Sequence, residues 1–271
     1  MADLLSYEGK RTVITGAASG MGAAAARMVQ DLGGEVIALD VRKPETPVAE
    51  YIETDLSDRA SIEAAVEALG DQQIDALFNC AGLPNTFPGQ QVMAVNFLGH
   101  RHLTEALIPK IARGGAIVFV ASVGGLNWMS HMAELAELAG ITDYDAARTW
   151  CEEHDSLVAE GYSLSKEAIT YYTMARCGDL LKQGIRINCL SPGPTDTAMM
   201  PKFEEAMGKQ YMDDFPKPIG RNSTADEQAA ILVFLNSSAA SYIAGHNLMA
   251  DGGFLAGVMT GQIDPASLMP S

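Results

Sequence analysis

The 271-residue sequence predicts an α/β fold, one parallel sheet with helices on both faces, on three observations. Short runs of strand length, apolar almost throughout, recur along the chain. Segments with helical periodicity fill the gaps between them. The first run breaks into a glycine-rich turn that opens directly into an alanine-rich helix. Strands covered on both faces lose the polar alternation of a half-exposed sheet, and strand–helix–strand alternation carries the chain between parallel strands. With no internal repeat and no linker-like stretch, the expectation is a single domain spanning 1–271.

Taken in order, the strands are RTVIT (11–15), EVIALD (35–40), IDALFN (74–79), AIVFVAS (116–122) and IRINCL (185–190). NLMADGG (247–253) holds a last strand. Helices are expected over 20–32, 57–69, 91–112, 161–181 and 224–236. Ser57 reads as the cap of the second. Thr224 and Glu227 have the spacing of a capping box, in which each side chain satisfies a free amide near the other.

Composition narrows the function. A hydrophobic content of 48% fits a globular domain, and no apolar run nears the roughly 20 residues of a membrane span. The amino terminus shows no signal-peptide pattern, and Cys80, Cys151, Cys177 and Cys189 have neither metal spacing nor a disulfide-rich layout. A cytoplasmic protein is therefore expected. The net charge of −16 opposes nucleic acid and favours solubility. His131 and His154 lie apart without matching ligands, so no metal is expected.

The turn VITGAASGMG places Gly16, Gly20 and Gly22 in the spacing G-x-x-x-G-x-G. Glycine lets a backbone turn tightly and approach a pyrophosphate, whose charge then meets the free amides and dipole of the helix. Eighteen residues past Gly22, the second strand ends on Asp40. A carboxylate there accepts from ribose hydroxyls and repels a 2′-phosphate, which favours NAD over NADP. Arg42 could offset that repulsion, and a capping or solvent-facing aspartate is the alternative reading of Asp40.

These residues together resemble the short-chain dehydrogenase/reductase family. TGAASGMG (15–22), NCAG (79–82), VN (95–96), Ser122, YSLSK (162–166) and PGPTDT (192–197) follow the family's order, with Cys80 the one departure in its N-N-A-G sequence. The resemblance spans Lys10 to the DGG at 251–253. It implies a doubly wound, Rossmann-type sheet of seven parallel strands and a catalytic tetrad of Asn96, Ser122, Tyr162 and Lys166. It further implies cofactor contacts from Gly16, Ser19, Gly20, Met21, Gly22, Asp40, Asp55, Leu56, Asn79, Ala81 and Gly82. Tyr162, Lys166, Pro192, Gly193 and Thr197 would complete the cofactor site, with Thr195 an alternative to Thr197 at the carboxamide. The family also implies a homodimer or homotetramer.

The chemistry explains the pattern. Oxidising a secondary alcohol requires its hydroxyl proton to leave along with a hydride. Tyrosine ionises near 10, and bringing it to about 7 takes roughly 4 kcal/mol. Residues four apart share a helix face, and one positive charge at about 4 Å supplies on the order of 4 kcal/mol at an effective dielectric of 20. Lys166, aided by the positive nicotinamide ring of the oxidised cofactor, is thus sufficient in magnitude to activate Tyr162. Ser122 would hold the substrate oxygen, and Asn96 would link Lys166 through water to solvent.

Two segments set this chain apart. Between Ser122 and Tyr162 lies a long insert, 127–161, with eight acids against one arginine. SHMAELAEL and DYDAARTWCEEH read as two short amphipathic helices joined through Gly140. The insert's length and place are similar to those of bacterial 3α-hydroxysteroid dehydrogenase/carbonyl reductases. It either walls the substrate cleft or caps a surface that relatives use for assembly. The second segment, a substrate loop at 194–218, carries Met199, Met200, Phe203 and Met207, followed by Tyr211, Met212 and Phe215. Methionine adapts to irregular surfaces, so a bulky apolar alcohol or ketone is expected there: a steroid, terpenoid or aryl compound. Packing against the core is the competing explanation. Trp128, Met129 and Phe87 are further candidates for the pocket, and the apolar end of the chain is a candidate arm onto a neighbouring subunit. An NAD-binding sensor on the same fold is the alternative function. A sugar epimerase is disfavoured by the short stretch after Thr197.

Overall fold

The computed structural model describes residues 3–159 and 161–264. Seven strands make one sheet: β1 (Arg11–Thr15), β2 (Glu35–Asp40), β3 (Glu50–Glu53), β4 (Ile74–Asn79), β5 (Ile111–Val120), β6 (Arg186–Pro192) and β9 (Asn247–Ala250). Their order is β3-β2-β1-β4-β5-β6-β9, and every pairing is parallel. β7 (Thr195–Asp196) and β8 (Ser223–Thr224) form a separate two-residue pair. The chain winds outward from β1 in one direction and from β4 in the other. Between them lies the crevice where doubly wound sheets bind ligands, at the strands' carboxyl ends.

Successive strand residues point to opposite faces, and here both faces are core. Val13, Ile37 and Leu77 join one apolar cluster, while their neighbours Ile14, Val36, Ala38 and Phe78 join the other. The second face is covered by α1 (Gly20–Asp31) and α11 (Ala225–Asn236). The first is covered by α2 (Arg59–Ala68), α3 (Gly89–Met93), α4 (His100–Leu107), the insert and α8 (Gly161–Gln183).

The structure departs from the sequence expectations locally. The helix expected over 91–112 is four pieces: α3, a π-helical stretch Ala94–Gly99, α4 and a 3₁₀ turn Ile108–Lys110. β5 begins at Ile111, five residues early, because Ile111 pairs with Ile74 before the register shifts to Ala76 and Ala116. Gly114 and Gly115 lie in that irregularity and hide the strand's start. β5 also ends before Ser122, which caps the following 3₁₀ turn by accepting from the Gly124 amide. β6 runs on to Pro192. Asp58, not Ser57, caps α2, accepting from the Ala60 amide; Ser57 is held by the Asp55 carboxylate instead. The Thr224–Glu227 capping box forms as expected.

The insert is more helical than its sequence indicated. A 3₁₀ segment Val123–His131 leads to α5 (Met132–Gly140), α6 (Tyr144–Glu153) and α7 (Asp155–Val158). Leu135, Leu138, Tyr144, Ala147, Trp150 and Val158 extend the first core cluster. Two buried charges fix α5 at its ends. Glu167 of α8 meets His131 Nδ1 at 2.6 Å where α5 begins. The guanidinium of Arg101 donates to the Leu138 carbonyl, at 2.8 Å, where α5 finishes. Anion at the start and cation at the end is the polarity a helix dipole favours.

Burial raises the Glu167 carboxyl and His131 draws it back down. His131→Ala strands that carboxylate, so about 2 kcal/mol of stability is lost, read by urea denaturation. Amide exchange should quicken in 123–140 but not in the central strands. An unchanged midpoint would show that the pair contributes nothing.

Candidate active site

The crevice between β1 and β4 is built for a close-lying ligand. Gly16 has φ 69°, and a side chain there would put its Cβ 2.7 Å from the Ala81 backbone. A Cβ on Gly22 would collide with the Gly16 carbonyl. The N-cap of α1, Ser19, makes no capping side-chain bond, and no acidic residue lies in the first turn. Those amides are therefore free for an anion, as a dinucleotide pyrophosphate requires. The residues present fit such a cofactor.

At the tip of β2 the Asp40 carboxylate accepts from the Ala18 amide at 2.9 Å and the Arg42 amide at 3.0 Å. It braces the glycine turn and keeps lone pairs for a further donor. Arg42 Nη2 lies 3.5 Å from Ser19 Oγ. Asp55 accepts from the amide and hydroxyl of Ser57, and Leu56 is buried in the core. Asn79 ties β4 to α4 through Thr104 Oγ1 at 3.1 Å. Across the crevice, Thr197 faces Gly20, whose added Cβ would meet it at 3.7 Å. Thr195 is committed elsewhere, to the Gly193 carbonyl and Ser223 Oγ at the base of the loop.

Ser122, Tyr162 and Lys166 converge at one cavity of about 540 Å³, whose wall also includes Met21, Ala81, Gly82, Pro192, Gly193 and Thr197. Gly125 makes the approach possible, because a side chain there would run into the backbone of Lys166 and Glu167. Ser122 hydrogen-bonds Tyr162, which eases the phenol's ionisation, but burial prevails and holds its pKa above 10. Lys166 is buried, and its Nζ donates to the Val120 carbonyl at 2.7 Å. Loss of water brings the ammonium down to about 8. Its Nζ is 5.6 Å from the centre of the Tyr162 ring. Burial therefore opposes the phenolate in this geometry. Asn96 sits just behind the cavity, its amide clamped to the Leu83 backbone in both directions and its Nδ2 3.3 Å from Ser165 Oγ.

The loop after β7 forms α9 (Met200–Met207) and α10 (Lys209–Asp214), neither of which buries a residue. Their apolar side chains line the cavity instead of a core: Met199, Met200, Phe203, Met207, Tyr211 and Met212. Phe203 meets the Tyr162 ring edge-on at a centroid distance of 5.1 Å. Phe87 is at the cavity wall; Trp128 is not, packing against the core beneath the insert, and Met129 is 66% exposed. Among the described residues of 127–161 only Ala159 and Gly161, at the carboxyl end of the insert, line the cavity; Val123 and Gly124 line it just before the insert begins. Phe254, from α12 (Phe254–Met259), closes the far wall against Phe215. Neither Phe254 nor the exposed Asn85 carried a sequence signal, since each reaches the site by tertiary packing. Residues 265–271, the outer part of the expected arm, lie outside the described residues. Among the described residues there is no metal-ligand cluster and no helix long and apolar enough to cross a membrane.

Comparison with known proteins gives the same layout. The short chain dehydrogenase profile matches residues 10–134, and the enoyl-(acyl carrier protein) reductase profile matches 141–255. Coniferyl-alcohol dehydrogenase of Pseudomonas sp. strain HR199 is 32% identical over 90% of this chain and 96% of its own. The 3-alpha-hydroxysteroid dehydrogenase/carbonyl reductase of Comamonas testosteroni is 29% identical over 89% and 95%. The crystal structure of 3-alpha-hydroxysteroid dehydrogenase from Pseudomonas sp. B-0831, complexed with NADH, superposes with a TM-score of 0.80 at 29% identity, covering 94% of this chain and 100% of that one. The chain belongs to the short-chain dehydrogenase/reductase family and is an oxidoreductase acting on alcohols.

Proposed function

We propose that the protein is an NAD(H)-dependent dehydrogenase interconverting a bulky apolar secondary alcohol and its ketone, with Tyr162, Lys166, Ser122 and Asn96 as its tetrad. The observation that carries this reading is the convergence of Ser122, Tyr162 and Lys166 at one point of a largely apolar cavity, opposite the glycine turn. The likeness to enzymes named for coniferyl alcohol and a 3-alpha-hydroxysteroid supports an alcohol borne on a large apolar body. Asp40 and the NADH-bound structural relative support NAD. The nicotinamide cofactor, when bound, supplies or takes up hydride.

The protein's own residues do the rest. Ser122 and Tyr162 hold the substrate oxygen between two hydroxyls. In oxidation Tyr162 takes the alcohol proton as a phenolate; in reduction it returns it as a phenol. Lys166 stabilises the phenolate, and Asn96 passes protons onward through water. Met199, Met200, Phe203 and Met207 enclose the apolar body and exclude water. The enzyme acts in the cytoplasm as a homodimer or homotetramer on this reading, which sedimentation of the purified protein resolves.

Turnover of steroid, terpene and aryl alcohols, coniferyl alcohol among them, with NAD and NADP in parallel is the direct test. Tyr162→Phe should lower kcat by about 100-fold or more with little change in NADH binding. Oxidation needs the phenolate, so its rate rises with pH through the tyrosine's ionisation, while reduction falls. Lys166→Met removes the stabilising charge and moves that limb to higher pH; a limb that stays put removes the lysine's role. Asp40→Ala should narrow the rate advantage of NAD over NADP, and unchanged selectivity would refute the ribose contact. Met199→Ala and Met207→Ala together should raise the alcohol's KM more than the cofactor's. A loss of melting temperature with both constants unchanged would mark the loop as structural.

A further inference from the structure

His100 is a buried imidazole that the proposed chemistry leaves idle. It opens α4, immediately after the π-helical stretch that carries Asn96. Its Nδ1 lies 3.1 Å from the backbone carbonyl oxygen of Asn96, and its Nε2 lies 2.9 Å from Thr15 Oγ1. A carbonyl oxygen only accepts, so Nδ1 carries a proton and donates it. Burial, helped by the nearby Lys166 charge, brings the imidazole down to about 4, leaving one ring proton at neutral pH. Nε2 is then the acceptor. The Thr15 hydroxyl gives its proton to Nε2 rather than to the Phe78 carbonyl at 3.4 Å. Its oxygen in turn accepts from the amides of Cys80, at 2.9 Å, and Ala81, at 3.2 Å. Every bond in this chain runs one way, from the end of β4 through Thr15 and His100 to Asn96. Hydrogen bonds in such a series strengthen one another.

We propose that His100 is a positioning residue for the reaction, fixing the Asn96 carbonyl in orientation and polarity relative to the turn between β1 and β4. The inference rests on the tetrad reading, in which Asn96 begins the path by which protons leave Lys166. A π-helical turn shifts the regular backbone ladder, and such turns gather at functional sites. The side chain four residues on adds a donor to the Asn96 carbonyl here. The Asn96 side-chain amide is held by the Leu83 backbone, and the imidazole acts on the other polar group of the residue, its backbone carbonyl. The competing role is packing alone, since the ring also meets Phe119 edge-on at 6.2 Å.

Three variants separate the two. His100→Phe keeps a ring and loses both bonds. His100→Asn keeps a donor near the Asn96 carbonyl but does not reach Thr15. His100→Gln places its amide toward Thr15. In the full-length protein, His100→Phe should lower kcat about tenfold or more with the KM for NAD nearly unchanged, and should shift the pH limb of kcat. His100→Asn should recover most of that loss and His100→Gln little of it. Nitrogen NMR of the unsubstituted protein should show the Nδ1–H tautomer, neutral well below the ordinary histidine range. An Nε2–H tautomer, or His100→Asn as slow as His100→Phe, overturns the inference. So does an equal fall of melting temperature and kcat in all three variants with an unaltered pH profile. Tyr162→Phe keeps the two proposals apart. If it retains turnover the tetrad reading fails; if it is inactive while His100→Phe is fully active, only the positioning role fails.

Discussion

The site depends on how closely the ends of β1 and β4 approach. Gly16 leaves the space where a Cβ would strike the Ala81 backbone, and the Thr15 hydroxyl gathers the amides of Cys80 and Ala81. That contact sets the width of the crevice. It also places the open end of α1 opposite Thr197, because the turn and the first helix are one piece of chain. From there the parallel sheet does the positioning. Asp40, Asn79, Ser122 and Pro192 all sit at or just beyond carboxyl ends of neighbouring strands, so residues far apart in sequence meet along one edge.

The insert is an addition to this frame rather than part of the pocket. Its body deepens the core beside α4 and α8, and among its described residues only those of its carboxyl end, Ala159 and Gly161, reach the cavity. Of the two roles open from the sequence, forming a wall of the cleft is confined to that end. Its docking uses charges that an isolated amphipathic helix would not need. Glu167 is buried one residue beyond Lys166, and Arg101 one residue beyond His100. The groups that seat the insert thus border those assigned to the chemistry. Loosening α5 would be felt by the first turns of α8, a link that covering an outer surface would not by itself provide.

Most of the architecture was legible because it rests on short-range rules. Apolar runs without alternation placed all five of the strands they marked, four of them within two residues of their true bounds, and the Thr224–Glu227 spacing gave a cap that forms. β3, with the sequence EYIE, has no such pattern, since its side chains are only partly covered at the sheet's edge. The early start of β5 was hidden by two glycines, and the π-helical stretch by ordinary helical residues. The glycine turn and the residues of the cavity's reactive end were legible as motifs. Phe254, Asn85 and His100 were not, because nothing in their neighbours says what they meet across the fold. Trp128 shows the same limit: its place in the insert suggested the cleft, but it packs against the core and does not line the cavity.

The ionisation of Tyr162 shows where sequence arithmetic stops. A lysine four residues on supplies enough Coulomb energy to activate a phenol, but the same burial that strengthens the attraction opposes both charges. The structure shows the two tendencies together: the tyrosine is held up and the lysine is held down. A phenolate beside an ammonium keeps the pair neutral overall, whereas a phenol beside an ammonium leaves one buried charge. Proton loss from the pair therefore belongs to neither residue alone. What decides it is which further charges and dipoles face the pair, among them the Val120 carbonyl already bound to Lys166; on the positioning proposal, the Asn96 carbonyl is another. A hydrogen-bond chain that reaches from the cofactor turn to that carbonyl lets the two ends of the site be set together.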